Sequence, residues 1–330
     1  MRSLWKGYQS PLASDIERYV AYKRALGRKF RAEEYALRLL DRHLVDHGVT
    51  SVAEVTAQRL ESFLASRGHR RARSYNHLLG VLRQFFSWLV AQSVLSTSPL
   101  RSSPRRQTAT LRPYLFTPDQ ARLLLQVAGS LPDASGALLR GPTYRTIFAL
   151  LYGLGLRVGE VSRLCCQDVD LERELLIIRQ TKFAKSRLTP FGPRIAELLR
   201  EHLDRRKAHG CTLAPDAPLF YFRNHRPIHP GTISQTFHHL LPRLRLEVPP
   251  GIRSPHVHDL RHSFAVGTLL RWYRDGIDPA SRLLPLATFL GHVDPASTAV
   301  YLTITDQLLE QANSRFEHLA NVVVFAESVS

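Results

Sequence analysis

The 330-residue chain holds only three cysteines, and two of them, Cys165 and Cys166, are adjacent, with Cys211 well apart. Neither a disulfide framework nor a CxxC metal site can be assembled from that set, so the thiols read as small buried side chains in a reducing compartment. Long apolar runs are missing too. No stretch approaches the roughly 18 residues of a membrane span, and the opening "MRSLWKGYQSPLASDIERYV" lacks the apolar core of a secretory signal. Acid is scarce: 28 Asp and Glu stand against 45 Lys and Arg, a formal net charge of +17 spread along the chain. Such a surplus selects a polyanionic partner, nucleic acid ahead of a membrane surface. A hydrophobic content of 44% excludes a disordered basic protein, because there is ample apolar material to offset chain entropy. The expected protein is folded, basic, cytoplasmic and associated with the nucleoid, with no membrane partner.

A single core stops growing at about 250 to 300 residues, so two domains are expected. The first, residues 1–95, reads as four short amphipathic helices. "SDIERYVAYKRALG" offers Ser14 and Asp15 as caps and Gly27 as a stop, and "AEEYALRLLDRHLVDHG" carries a Leu37, Leu40, Leu44 stripe. "TAQRLESFLASRG" and "SYNHLLGVLRQFFSWLVAQ" follow. Arg67, His69, Arg70, Arg71 and Arg73 gather where the fourth helix begins; a charge run is commonly a solvated face, but helix-start N–H groups also favour phosphate, so Arg67, Arg70, Arg71 and Arg73 are candidate DNA contacts. "STSPLRSSPRRQTATLRP", residues 96–113, has linker composition and is basic. A second domain, 114–330, opens at "TPDQARLLL" with Thr117, Pro118 and Gln120 set for a capping box. Within it "LLIIR", the polar tip "QTKFAKS" and "RLTPF" form a β-hairpin, and the remainder returns to helical spacing. The fold class is mainly α with a small antiparallel sheet.

Four separated segments of the second domain carry groups suited to a phosphodiester. "GLGLRVGEVSRL" places Arg157 at a helix start with Glu160 at i+3, able to hold the guanidinium; "RQTKFAKSRLTP" puts Lys182 and Lys185 at the hairpin tip. "SPHVHDLRHSFAV" sets His258 and Arg261 on one helical face, and "LGHVDPASTAVYL" runs from Gly291 through His292, Asp294 and Pro295 to Tyr301. Each piece has an ordinary structural reading: an ion pair, solubilising lysines, a capping histidine, a tyrosine that packs its ring.

Together and in this order, "GLRVGE", "TKFAKSR", "HDLRH", "LGH" and Tyr301 closely resemble the tyrosine recombinases, the phage integrase family. The resemblance covers most of the chain and implies an N-terminal helical core-binding (SAM-like) bundle followed by a tyrosine recombinase catalytic domain with a C-terminal interaction tail. It implies Arg157, Lys182, His258, Arg261, His292 and Tyr301 as the catalytic set, with Glu160 in support. Lys182 matches the family lysine better than Lys185, which is left as a DNA contact, and His256 is a decoy because only His258 completes H-x-L-R with Arg261. The implied partners are double-stranded DNA and further copies of the chain, a dimer on one site and a tetramer in the synapse, joined through the tail. No metal and no cofactor are expected.

The chemistry this implies is attack by Tyr301 on phosphorus, giving a 3′-phosphotyrosyl enzyme and a free 5′ hydroxyl. Arg157 and Arg261 would stabilise the transition-state charge, His258 would assist the tyrosyl proton or bond the phosphate, Lys182 would protonate the leaving oxygen and His292 would add a donor. One departure from the family pattern is the long stretch from Arg261 to His292, with "RWYRDGIDPASRLLP" and Pro285 inside an expected helix. The form "LGHVDPAST" is similar to recombinases of bacterial mobile elements. Two alternatives share the residues: a type IB topoisomerase, and a DNA-binding protein without catalysis.

Overall fold

Period-3.6 stripes of Leu and aromatic residues dominate both halves of the chain, and the computed structural model, which describes residues 7–68, 72–106, 111–179, 186–222, 225–292, 294 and 296–303, is accordingly mostly helical. It divides into two compact units, Met1–Thr110 and Leu111–Ser330.

The first unit contains α1 (Ala13–Ala25), α2 (Arg31–Asp46), α3 (Ala57–Ser66) and α4 (Ala72–Ala91). Their stripes close a core around Tyr19, whose ring meets Phe30, Phe85 and Trp88 at centroid distances of 5.6, 5.2 and 5.3 Å. Helix α1 starts before the expected caps. Buried Asp41 on α2 accepts the backbone N–H groups of Gln9 and Ser10, and the Ser10 hydroxyl accepts from Leu12, so the chain is already turned at Ala13; Ser14 and Asp15 fall inside the first turn. There Asp15 complements the positive helix end. Gly27 and Gly48 lie beyond the ends of α1 and α2 with φ of +76° and +65°, a conformation glycine adopts without penalty.

Both ends of the basic segment 96–113 are bonded to the unit each adjoins. Asn76 exchanges two 2.8 Å hydrogen bonds with the Arg105 backbone, and Arg83 donates to the Ser102 carbonyl at 2.8 Å. At the other end, Arg112 pairs with residues 251–253 through its N–H and C=O.

The second unit begins with α5 (Pro118–Gly129), started by the expected capping box: the Thr117 hydroxyl accepts from Gln120 N–H while the Gln120 amide oxygen accepts from Thr117 N–H. Helix α6 (Arg140–Gly153) is buried over most of its surface, with Arg145 exposed, and lies at the centre of the core, flanked by α5, α8 (Pro193–Ala208) and α10 (Asp259–Arg274). After the short α7 (Val158–Ser162) comes an antiparallel sheet ordered β1 (Val169–Asp170), β2 (Leu175–Ile178), β3 (Arg187–Pro190). The hairpin is present in the register Ile178 to Arg187, and β1 adds a third strand beyond the two expected. Helix α9 (Pro230–Leu244) packs on α5.

The long stretch after α10 ends the helix at Gly276 and makes a 3₁₀ turn at Ala280–Arg282, capped by the Asp278 carboxylate. Then α11 spans Leu283–Leu290, so Pro285 is the third residue of its helix, among the first N–H positions that have no intrahelical partner, and the proline costs nothing there. A single turn, α12 (Ala296–Ala299), leads into a 3₁₀ turn at Val300–Thr303 that carries Tyr301. Pro295, Lys182, Lys185, Arg70, Arg71 and the expected C-terminal interaction tail lie outside the described residues. Among the described residues no helix is long and apolar enough to cross a membrane.

Candidate active site

Helix α11 ends at Gly291 (φ +67°), and a helix C-terminus presents carbonyls without intrahelical partners at the negative end of its dipole. Three arginines from three different elements fill that end. Arg187 Nε donates to the Phe289 carbonyl at 2.8 Å; Arg261 Nη2 and Arg157 Nη1 donate to the Leu290 carbonyl at 2.7 and 3.3 Å; Arg157 Nη2 donates to the Gly291 carbonyl at 2.9 Å. A side chain at 291 would collide with the Arg187 guanidinium, its Cβ lying 2.7 Å from Nη1, so glycine is required both for the turn and for the approach.

Glu160 holds the arginines from the other side. At 4% exposure it accepts from the Arg157 backbone and guanidinium at 2.9 and 2.7 Å, and from both Nη atoms of Arg187 at 3.0 and 2.9 Å. Burial works against its ionisation, but the fork from Arg187 and the contacts from Arg157 outweigh it and hold the carboxyl down at about 2. Arg157 stands at the N-terminal boundary of α7, as expected from its helix-start position.

Among the described residues Arg261 is the largest fully buried side chain, 1% exposed. Its Nη1 donates to the Gly155 carbonyl at 2.6 Å, and two of its five N–H groups are thereby spent on backbone carbonyls. Its Nε has no hydrogen-bond partner among the described residues. Burial, then repulsion from Arg157, bring the guanidinium down to about 10, still a cation at neutral pH. Gly155 (φ +59°) makes this packing possible: a Cβ there would sit 2.5 Å from the Phe264 ring and 2.9 Å from Leu290.

Tyr301 is 3% exposed, its ring in a small apolar cluster with Ala265, Val266 and Leu269 of α10 and Leu286 and Leu290 of α11. Its hydroxyl lies 2.9 Å from Nδ1 of His262. Burial raises the phenol above its ordinary value, and the charges of Arg261 and Arg157 pull it back, so the hydroxyl keeps its proton in the free enzyme. His292 lies with its ring centroid 6.3 Å from that of Tyr301, nearly parallel, and its Nδ1 bonds the Thr298 hydroxyl at 2.6 Å.

His258 takes the N-cap position of α10, exposed at the mouth of the site, with its ring edge-on to His262 at 4.8 Å. The protein massed around it and the Arg261 and Arg157 charges bring its imidazolium down to about 4. The start of α10 is pinned by buried Asp259, which accepts from the Arg253 guanidinium and from His256 N–H. His256 itself bonds Arg253 at 2.7 Å and has no ring contact with the Tyr301 cluster among the contacts of the described residues.

Arg157, Glu160, Arg261, His292 and Tyr301 are thus gathered in one place, with His258 at its rim. Two residues inside the same quoted segments escaped the reading, Arg187 and His262. Each had a signal: His262 is one turn beyond His258 on the same helical face, and Arg187 alternates with exposed Leu188 and buried Thr189, so it faces inward and needs a carboxylate. In the first unit, Arg67 is half-buried with its guanidinium 5.2 Å from the centre of the Phe63 ring, while Arg73 is exposed on the first turn of α4.

Residues 116–307 match the phage integrase family. A Sinorhizobium fredii protein designated integrase/recombinase y4rB is 35% identical over 308 residues, 92% of this chain and 96% of that one. The tyrosine recombinase XerC of Lactobacillus delbrueckii subsp. bulgaricus is 26% identical, covering 78% of this chain and 81% of its own. Among solved structures, a lambda integrase dimer bound to a COC′ core site superimposes with a TM-score of 0.62 at 19% identity, over 88% of this chain and 76% of that one, which shows a common fold. The class is that of enzymes carrying out site-specific recombination. Within it, the chain belongs to the phage integrase family, the tyrosine recombinases.

Proposed function

We propose that Tyr301 is the nucleophile of this recombinase and that the arginine cluster at the end of α11 is its phosphate site. The carrying observation is a charge imbalance: three guanidiniums, Arg157, Arg187 and Arg261, face one carboxylate, Glu160, and Arg261 Nε is buried without a partner among the described residues. That surplus suits a phosphodiester and the extra charge its oxygens gain in the transition state. The Tyr301 oxygen attacks phosphorus as the bond to the 5′ oxygen breaks, leaving a 3′-phosphotyrosyl linkage that a 5′ hydroxyl later reverses. Arg157 and Arg261 bind the non-bridging oxygens, His258 at the rim and His292 add donors, and Lys182, expected on the hairpin turn, supplies the proton to the leaving oxygen.

The partner in this reading is double-stranded DNA, held by the catalytic unit and by the basic start of α4 around Arg67 and Arg73, with Arg70, Arg71 and Lys185 assigned on sequence. The net charge of +17 supports it, as does the DNA in the lambda integrase structure. That relative forms a dimer on its core site and a tetramer on a Holliday junction, and we extend the same assembly to this chain, through its C-terminal tail, in the cytoplasm.

The test is covalent trapping on a nicked duplex built from the DNA flanking the gene. The unaltered chain forms a protein–DNA adduct, and Tyr301→Phe keeps DNA affinity and forms none; an adduct from Tyr301→Phe refutes the assignment. Strand exchange between two duplexes, as opposed to relaxation of one supercoiled circle, separates recombination from a topoisomerase reaction.

A further inference from the structure

We propose that His262 is the catalytic proton acceptor for Tyr301, taking the phenolic proton on Nδ1 as the tyrosyl oxygen attacks the phosphorus. This rests on the assignment of Tyr301 as nucleophile and gives a role to a residue that stands directly after H-x-L-R in "HDLRH" and was not among the candidate catalytic set.

The geometry selects it among three imidazoles. His262 Nδ1 is 2.9 Å from the Tyr301 oxygen, within hydrogen-bond reach of the proton that must leave. His292 presents the face of its ring, 19° from parallel with Tyr301, and its Nδ1 is occupied by Thr298. His258 is exposed at the rim, edge-on to His262, where it is placed for the phosphate or the DNA and has no bond to the tyrosyl oxygen among the described contacts. Glu160, the carboxylate of the cluster, is fully engaged by Arg157 and Arg187. In the tautomer with its proton on Nε2, His262 therefore accepts the Tyr301 O–H.

The electrostatics explain how such a base is switched on. Burial and the surrounding groups, His258 and Arg261 on its own helix, Arg253 on the preceding loop and His292 after α11, hold His262 down at about 3. Without DNA it is neutral and a weak base, and Tyr301 stays protonated. A phosphate anion arriving among Arg157, Arg187 and Arg261 cancels part of the positive field that opposes an imidazolium, so substrate binding itself raises the basicity of His262. The balance of the step is complete. The Tyr301 oxygen–phosphorus bond forms, the phosphorus–O5′ bond breaks with its electron pair going to O5′, the phenolic proton moves to His262 Nδ1, and Lys182 protonates O5′. Religation returns both protons.

The experiment compares His262→Asn, His262→Ala and Tyr301→Phe in the full chain, as rates of adduct formation on the nicked duplex across neutral and alkaline pH. Asparagine sets an amide oxygen near the place of Nδ1, so it keeps a hydrogen bond to the hydroxyl but cannot take its proton. Both His262 variants should bind DNA as the parent does and cleave about 100-fold more slowly or worse. Their rates should climb with pH as hydroxide replaces the base, and added imidazole should recover part of the rate of His262→Ala. A His262→Asn protein that cleaves at the parental rate with an unchanged pH profile overturns the proposal and leaves His262 a hydrogen-bonding anchor. Adduct formation by Tyr301→Phe, by contrast, would bring down the nucleophile assignment itself, so the two failures are distinguishable.

Discussion

Glu160 binds both Nη atoms of Arg187 at 3.0 and 2.9 Å across 27 residues of sequence, joining the short helix α7 to the first residue of β3. Since Arg187 also donates to the α11 end while Glu160 accepts from the Arg157 guanidinium as well, the pair positions the two arginines that flank the proposed phosphate site.

Removing the carboxylate should leave a buried guanidinium cluster without its counter-charge. Glu160→Gln is expected to lower stability by about 3 to 5 kcal/mol, the usual cost of breaking a buried pair from one side. Chemical denaturation checks it. Arg187→Lys should recover little, because a point charge cannot reproduce the two-pronged bond; a stability equal to the parent's would show the fork to be dispensable.

Acid should loosen the site before it loosens the rest of the fold. His262 and His292 sit in the folded chain at about 3 and about 4, below their ordinary 6.5, so in the range between these values the unfolded chain binds protons that the folded chain does not. Their contribution is complete above about 6.5 and is lost as the pH falls toward 4 and 3, and that of Glu160 is lost lower still, from its ordinary 4.5 toward about 2. Denaturation midpoints measured down this range should fall less steeply for His262→Asn than for the parent chain. Parallel curves would contradict the assignment of these protons.

Gly155 and Gly210 both have positive φ, +59° and +67°, but only the first is crowded. Gly210→Ala should cost only the backbone strain of a left-handed residue, about 1 to 2 kcal/mol. At Gly155 the methyl meets Phe264 and Leu290 and displaces the carbonyl that holds Arg261, adding about 1 to 3 kcal/mol of overpacking and a loss of adduct formation. Equal effects at the two glycines would mean that the contact relaxes freely.

Arg73 is exposed at the first turn of α4, where a phosphate contact is expected. Arg73→Ala should weaken DNA binding to a similar degree on any sequence and make the plot of log affinity against log salt shallower by about 0.9. Binding titrations at several salt concentrations decide it; an unchanged slope would remove Arg73 from the interface.

Local signals in the sequence were enough for most elements and for naming five of the side chains that the fold gathers together, Arg157, Glu160, Arg261, His292 and Tyr301. The Thr117 and Gln120 box, Gly291 ending α11 and the leucine stripe of α2 act within one or two turns, so their physics is written in neighbouring residues. The same holds for Arg157 with Glu160 at i+3. What lay beyond reach depended on distant partners. The start of α1 was set by Asp41, 31 residues away from Ser10, and not by Ser14 or Asp15. Arg187 acquires its role only because β3 brings it beside α7 and the end of α11. The partner of Tyr301 is likewise a tertiary outcome: the family resemblance offered His258 for the tyrosyl proton or the phosphate, whereas the packing of α10 against α11 and the 3₁₀ turn places His262 on the hydroxyl, 39 residues back along the chain. Residue types and short spacings determine which chemistry a chain can hold; which nitrogen meets which oxygen is decided by the way distant helices bury their apolar faces together.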